Sequence, residues 1–129
     1  MRYLTKNFTR HEFECKCGCG FDRVNAKLVR ALQKIRDAFG KPIYISSGCR
    51  CPVHNKAVGG VWNSQHTLGR AADIYWHGDI CELYNLVYDM YERGELPDIH
   101  FMKLYKSNNF MHIDVRKEKA NFPRVRCGD

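Results

Sequence analysis

Two apolar runs late in the chain, IHFMKLY (99–105) and FMHIDVR (110–116), are separated by only four residues, KSNN. A connection that short, built of turn-forming Ser and Asn, joins antiparallel neighbours, so the pair reads as a β-hairpin. Pairing Tyr105 with Phe110 places Lys103 opposite His112. Residues two apart on a strand share a face, so Asp114 points to the same side as His112.

The rest of the chain supplies helices and short strands around that hairpin. Leu28, Val29, Leu32, Ile35 and Phe39 recur on one helical face after Asn25, a good N-cap, and Gly40 with Pro42 stops the run. Residues 79–93 form a second amphipathic pattern, with Asp79 as cap and Ile80, Leu83, Leu86, Val87 and Met90 on one side. Shorter helices are expected near 9–14, where Thr9 and Glu12 fit a capping box, and over 51–58, ended by Gly59-Gly60. PIYIS (42–46) and residues 71–76 read as further strands. The expectation is an α+β fold, a small antiparallel sheet with flanking helices, in a single domain over residues 1–129.

No run approaches the ~18 apolar residues of a membrane span. The net charge of +7 favours anionic partners such as nucleic acid, acidic lipid or an anionic cell wall, although the cations are spread along the chain rather than blocked. The first eighteen residues contain no apolar core of a Sec-type signal peptide, so synthesis in the cytoplasm and release by other means are expected. Seven cysteines are present: Cys15, Cys17 and Cys19 in CKCGCG, Cys49 and Cys51 flanking Arg50, and Cys81 and Cys127. An odd count argues against a complete secreted disulfide framework. A thiolate zinc site is conceivable, but C-x-C is not the C-x2-C knuckle with a matching second half. Buried free thiols or one disulfide are therefore expected ahead of a second metal. Tethering Cys49 and Cys51 to CKCGCG would brace the loop that carries Arg50.

The segment SQHTLGRAAD sets His66 and Asp73 seven residues apart around Gly69. Three N/O ligands plus an open position make a catalytic zinc site, and His112 could supply the third if its strand lies beside that of Asp73. Spacing alone does not decide it, since a lone His is commonly a satisfied core or surface residue.

SQHTLGRAAD resembles the S-x-H-x2-G-x-A-x-D signature of the M15-type zinc peptidases, matching at Ser64, His66, Gly69, Ala71 and Asp73. SGCRCPVHNKAVGG resembles that family's SG-x-R segment and NxxVGG loop, and FMHIDVR its last metal-binding motif. The resemblance implies the hedgehog/DD-peptidase fold, one catalytic zinc on His66, Asp73 and His112, and Arg50 contacting substrate and polarising the scissile carbonyl. It implies hydrolysis of peptidoglycan stem-peptide bonds, as by D-Ala-D-Ala carboxypeptidases or L-alanyl-D-glutamate endolysins. The missing signal-peptide core and wall-binding domain lean towards a phage or prophage setting, and a monomer acting on the cell wall, with no nucleic-acid or membrane partner, is expected. Relatives often carry an acid three residues before the last His; here that position is Asn109. Asp114 is the nearest substitute, either activating the zinc water or orienting a ligand. His100 and Lys103 are weaker candidates for transition-state stabilisation, and Trp62 and Trp76 for the cleft walls, with Tyr75 read as core. Two rivals remain: a catalytically inactive wall-peptide binder, motivated by Asn109, and a basic Cys/His zinc module that binds nucleic acid.

Overall fold

A computed structural model of the chain describes residues 2–117; of the cysteines, Cys127 lies outside them. Three α-helices, α1 (Ala26–Phe39), α2 (Pro52–Ala57) and α3 (Ile80–Glu92), accompany four strands, β1 (Tyr44–Ser47), β2 (Ala71–Tyr75), β3 (Phe101–Tyr105) and β4 (Phe110–Asp114). Short 3-10 turns occupy Arg10–Phe13, Gln65–Leu68 and Lys106–Asn108. The strands form one antiparallel sheet in the order β1-β2-β4-β3. This is the small α+β architecture that the hydrophobic patterning predicts.

The β3–β4 hairpin has the expected register, Tyr105 opposite Phe110 and Lys103 opposite His112. KSNN closes it as a 3-10 turn followed by Asn109 in the left-handed region at φ 56°. β4 ends two residues earlier than the apolar pattern suggests, although the Val115 N–H still bonds the Arg70 carbonyl (2.9 Å), the next pair in the β2–β4 register.

The sheet has two unlike faces because side chains alternate along each strand. Ala72 and Ile74 of β2, Met102 of β3, and Met111 and Ile113 of β4 join one core with Leu28, Leu32 and Ile35 of α1 and Ile80, Leu83, Tyr84 and Val87 of α3. Burying each large aliphatic side chain there contributes roughly 1.5–3 kcal/mol, so the core fixes which face is covered. Both helices are capped as their sequences predict: Asn25 Oδ1 accepts from the Lys27 N–H and Asp79 Oδ1 from the Cys81 N–H. By alternation the opposite face receives Asp73, Phe101, Lys103, Tyr105, Phe110, His112 and Asp114. Every polar residue of the strands that the sequence singled out lies on that one face.

Candidate metal centre

Asp73 and His112 are direct partners across the β2–β4 ladder. His66 reaches them from the 3-10 turn before β2, whose first N–H groups are held by the Ser64 hydroxyl (His66 N–H to Oγ, 3.2 Å). Gly69 ends that turn at φ 68°, and a Cβ there would lie 2.2 Å from the Arg23 carbonyl oxygen. The motif glycine thus serves both a left-handed backbone and a close approach to the segment preceding α1, where the Asn25 N–H donates to the Gly69 carbonyl at 2.8 Å.

His66 Nε2 lies 3.2 Å and His112 Nδ1 3.0 Å from the same atom, Asp73 Oδ1. The other nitrogen of each ring is committed. His66 Nδ1 lies 2.7 Å from the Gly48 carbonyl oxygen, which can only accept, so Nδ1 carries the hydrogen. His112 Nε2 lies 2.8 Å from Asp114 Oδ2 and donates to that carboxylate. In their neutral forms, rings so fixed would turn both remaining lone pairs towards one carboxylate oxygen, an arrangement that a bound cation would complete. Zinc bonds of about 2.0–2.1 Å at tetrahedral angles set ligand atoms about 3.3 Å apart, close to the separations found. The residues fit a zinc ion, with an acceptor behind each imidazole as such sites require.

The same contacts set the charge balance of the group. Burial pushes the Asp73 carboxyl up, but bonds from His112 and His66 outweigh it and hold the group well below the usual carboxylate range. Burial lowers His112, yet its bonds to Asp114 and Asp73 prevail and raise it. Asp114 is fully buried, and burial alone would raise it. The Arg116 fork (Nε to Oδ1 2.9 Å, Nη2 to Oδ2 2.7 Å) together with His112 keeps it ionised and below its ordinary value.

Arg50 stands at the edge of this group. Its Nε donates to Ser47 Oγ (3.0 Å), Nη1 to Asn55 Oδ1 (2.9 Å), and Nη2 lies 3.5 Å from Asp73 Oδ2. Asn55 itself is anchored on the Val61 carbonyl through Nδ2 (2.8 Å), so the asparagine of the NxxVGG loop aims the arginine. A cleft of about 730 Å³ opens over the centre and is lined by four cations, Lys16, Arg50, Lys103 and Arg116. Asp73 is the one carboxylate among its described lining residues.

Several expected participants are placed elsewhere. The aromatic walls are Phe101, Tyr105 and Phe110, not the two tryptophans expected. Trp62 is 89% exposed; Trp76 packs edge-on against Phe39; Tyr75 stacks on Tyr44. Lys103 lines the cleft, whereas His100 faces the Arg116 carbonyl through Nδ1 (2.6 Å). Asn109 is committed to the fold: Oδ1 accepts from the Ile80 N–H (2.9 Å) and Nδ2 donates to the Gly78 carbonyl (3.1 Å). Restoring an acid there should therefore not restore a base. Asn109→Asp is expected to leave turnover within about twofold and to cost at most ~1 kcal/mol through the lost amide donor. A tenfold gain in turnover would contradict this placement.

Ser47, Gly48 and Arg116 are the site residues that sequence reasoning missed. Arg116 was detectable, because it follows Asp114 by two. The Gly48 carbonyl was not, since a backbone acceptor leaves no mark in side-chain identity. Among the cysteines, the sulfurs of Cys15, Cys17, Cys19 and Cys51 come within 4.8 Å of one another.

Two imidazoles and one carboxylate converge beneath an open cleft, a donor set that could hold a metal ion. The Peptidase M15 family profile matches residues 6–114, and the chain belongs to that family. It is similar to the zinc D-Ala-D-Ala carboxypeptidase of Streptomyces albus G, 38% identical over 78 residues. That match takes in 53% of this chain and 31% of the relative, so it spans under a third of the relative's length.

Proposed function

We propose that the protein is a zinc peptidase that hydrolyses stem-peptide bonds of peptidoglycan, of D-Ala-D-Ala carboxypeptidase or L-Ala-D-Glu endopeptidase type. The observation that carries this reading is the convergence of His66 Nε2, His112 Nδ1 and Asp73 Oδ1, with the far nitrogen of each ring already bonded. His66, Asp73 and His112 would hold the zinc, which when bound would supply Lewis acidity and activate water near neutral pH.

The chain's own residues do the rest. Arg50, fixed by Ser47 and Asn55, presents its remaining N–H groups to the scissile carbonyl oxygen as negative charge develops there. Lys16, Lys103 and Arg116 give the cleft a positive field suited to the carboxylates of a stem peptide. On this reading the protein acts at the cell wall, as a monomer and without a nucleic-acid partner. Digestion of purified peptidoglycan, followed by mass spectrometry of the products, tests the reading. New peptide ends identify the bond cut, and an intact digest with zinc-loaded protein would reject it.

Asp114 belongs with positioning rather than proton transfer in this scheme. It has no exposed surface and meets the centre only through His112 Nε2. Asp114→Asn is expected to weaken zinc affinity by ~10–100-fold while turnover at saturating zinc falls far less. A ~100-fold loss of turnover with zinc retained would instead mark Asp114 as the base. For Arg50, Arg50→Lys should lose most turnover yet keep the metal, because lysine lacks the planar fork. Near-normal rates would remove Arg50 from the reaction.

One observation favours a second reading. With Asn109 capping α3 and Asp114 sealed behind His112, the described cleft offers no free carboxylate to move a proton. A relative that binds wall peptide without cutting it would look like this, and the product analysis above separates the two.

A further inference from the structure

We propose that Cys15, Cys17, Cys19 and Cys51 bind a second, structural zinc ion that ties the N-terminal loop to the Arg50 segment. The four sulfurs lie within 4.8 Å of one another, three from one short loop and the fourth from 34 residues downstream of Cys17. Tetrahedral zinc with Zn–S bonds of about 2.3 Å sets its sulfurs about 3.8 Å apart. Cys15 and Cys17 sulfurs are 3.4 Å apart, and those of Cys17 and Cys51 are 3.6 Å apart. Both separations are near that edge length and far above the ~2.05 Å of a disulfide.

The backbone is shaped for the purpose. Cys15 N–H to the Phe21 carbonyl (2.8 Å) closes the loop, and Gly18 N–H to the Cys15 carbonyl (3.1 Å) folds it inward. Gly18 and Gly20 take φ of 83° and 90°, left-handed values that flank Cys19 and let a C-x-C-x-C run turn three thiols to one side. Two N–H groups point at sulfur, that of Cys51 to Cys15 Sγ and that of His54 to Cys51 Sγ, both at 3.4 Å. Such donors offset the negative charge of a tetrathiolate, whose thiol protons leave to solvent on binding. The fourth ligand breaks the usual knuckle pattern because the fold, not the local sequence, delivers it.

Cys51 gives the site its consequence. It follows Arg50 directly and caps α2, the helix that carries Asn55. A zinc bond there would hold both the arginine and its Asn55 partner against the 15–21 loop. Cys49, the other cysteine beside Arg50, is buried outside the cluster, with its N–H on the Phe13 carbonyl (2.8 Å). The bracing therefore runs through Cys51 alone.

The inference is independent of the His66 centre, and its test is arranged to keep the two apart. In His66→Ala/His112→Ala protein, about one equivalent of zinc should remain, and cobalt in its place should give intense thiolate charge-transfer absorption. Adding Cys17→Ser/Cys19→Ser should abolish both signals. Should that variant fail to fold, the wild-type protein is titrated with a mercurial thiol reagent, which is expected to release one of two zinc equivalents. A histidine variant free of metal and of the cobalt band, a titration that releases no zinc, or a disulfide mapped among the four cysteines would each overturn the proposal.

Discussion

Removing both imidazoles, as in His66→Ala/His112→Ala, is expected to reduce peptide hydrolysis by ~10³-fold or more. Two of three donors vanish, leaving Asp73 unable to retain zinc alone. The Lewis acidity lost is worth several kcal/mol of transition-state stabilisation, and each ~1.4 kcal/mol is tenfold in rate. The fold should survive, because neither ring contributes to the apolar core on the other face of the sheet. Steady-state rates on a defined muropeptide, with circular dichroism on the same sample, check both halves. A variant that is folded and retains a tenth of the wild-type rate would exclude these histidines from the reaction.

The largest effect on stability is expected from Arg116→Ala. Asp114 is fully buried and ionised, and the guanidinium fork is its main compensation. Stripping a partner from a buried ion pair typically costs 3–5 kcal/mol. The lower end, about 3 kcal/mol, applies here because the His112 Nε2–H and the residue-116 backbone N–H still serve the carboxylate. That corresponds to a fall of roughly 10 °C in Tm for a chain of this size. Since folding lowers the Asp114 carboxyl, its contribution is present above the ordinary carboxylate range and lost as pH falls through the lowered folded value. The variant should accordingly show a flatter acid limb in a plot of stability against pH. Urea melts of the metal-free protein from neutral to acid pH measure this, and a loss under ~1 kcal/mol would show that Arg116 is dispensable.

How far the sequence could be read depended on the range of each interaction. Hairpin register, helix caps and the common face of His112 and Asp114 follow from local rules of period and turn chemistry, and they were legible. So was the pairing of the Asp73 and His112 strands, once both were seen as strands. The roles of Asn109 and Asp114 were not, because they depend on contacts made by tertiary placement: Gly78 and Ile80 for one, Arg116 for the other. The aromatic walls were misassigned for a related reason. Trp76 follows Tyr75 at the end of β2 and packs on Phe39 of α1, which no local pattern around SQHTLGRAAD discloses. Three thiols of the cysteine cluster alternate along one short loop, while the fourth arrives through the fold, so a search by spacing finds only a fragment of it.

The central claim, that the His66–Asp73–His112 centre makes this chain a peptidoglycan peptidase, is tested most directly on one defined muropeptide carrying both the L-Ala-D-Glu and the D-Ala-D-Ala bonds. Zinc-loaded wild type and the double-histidine variant are incubated with it side by side and followed by mass spectrometry. The account predicts that the wild type splits one of these bonds with the uptake of one water, while the variant leaves the substrate whole. An intact substrate in both samples, with zinc bound at the wild-type centre, would contradict it.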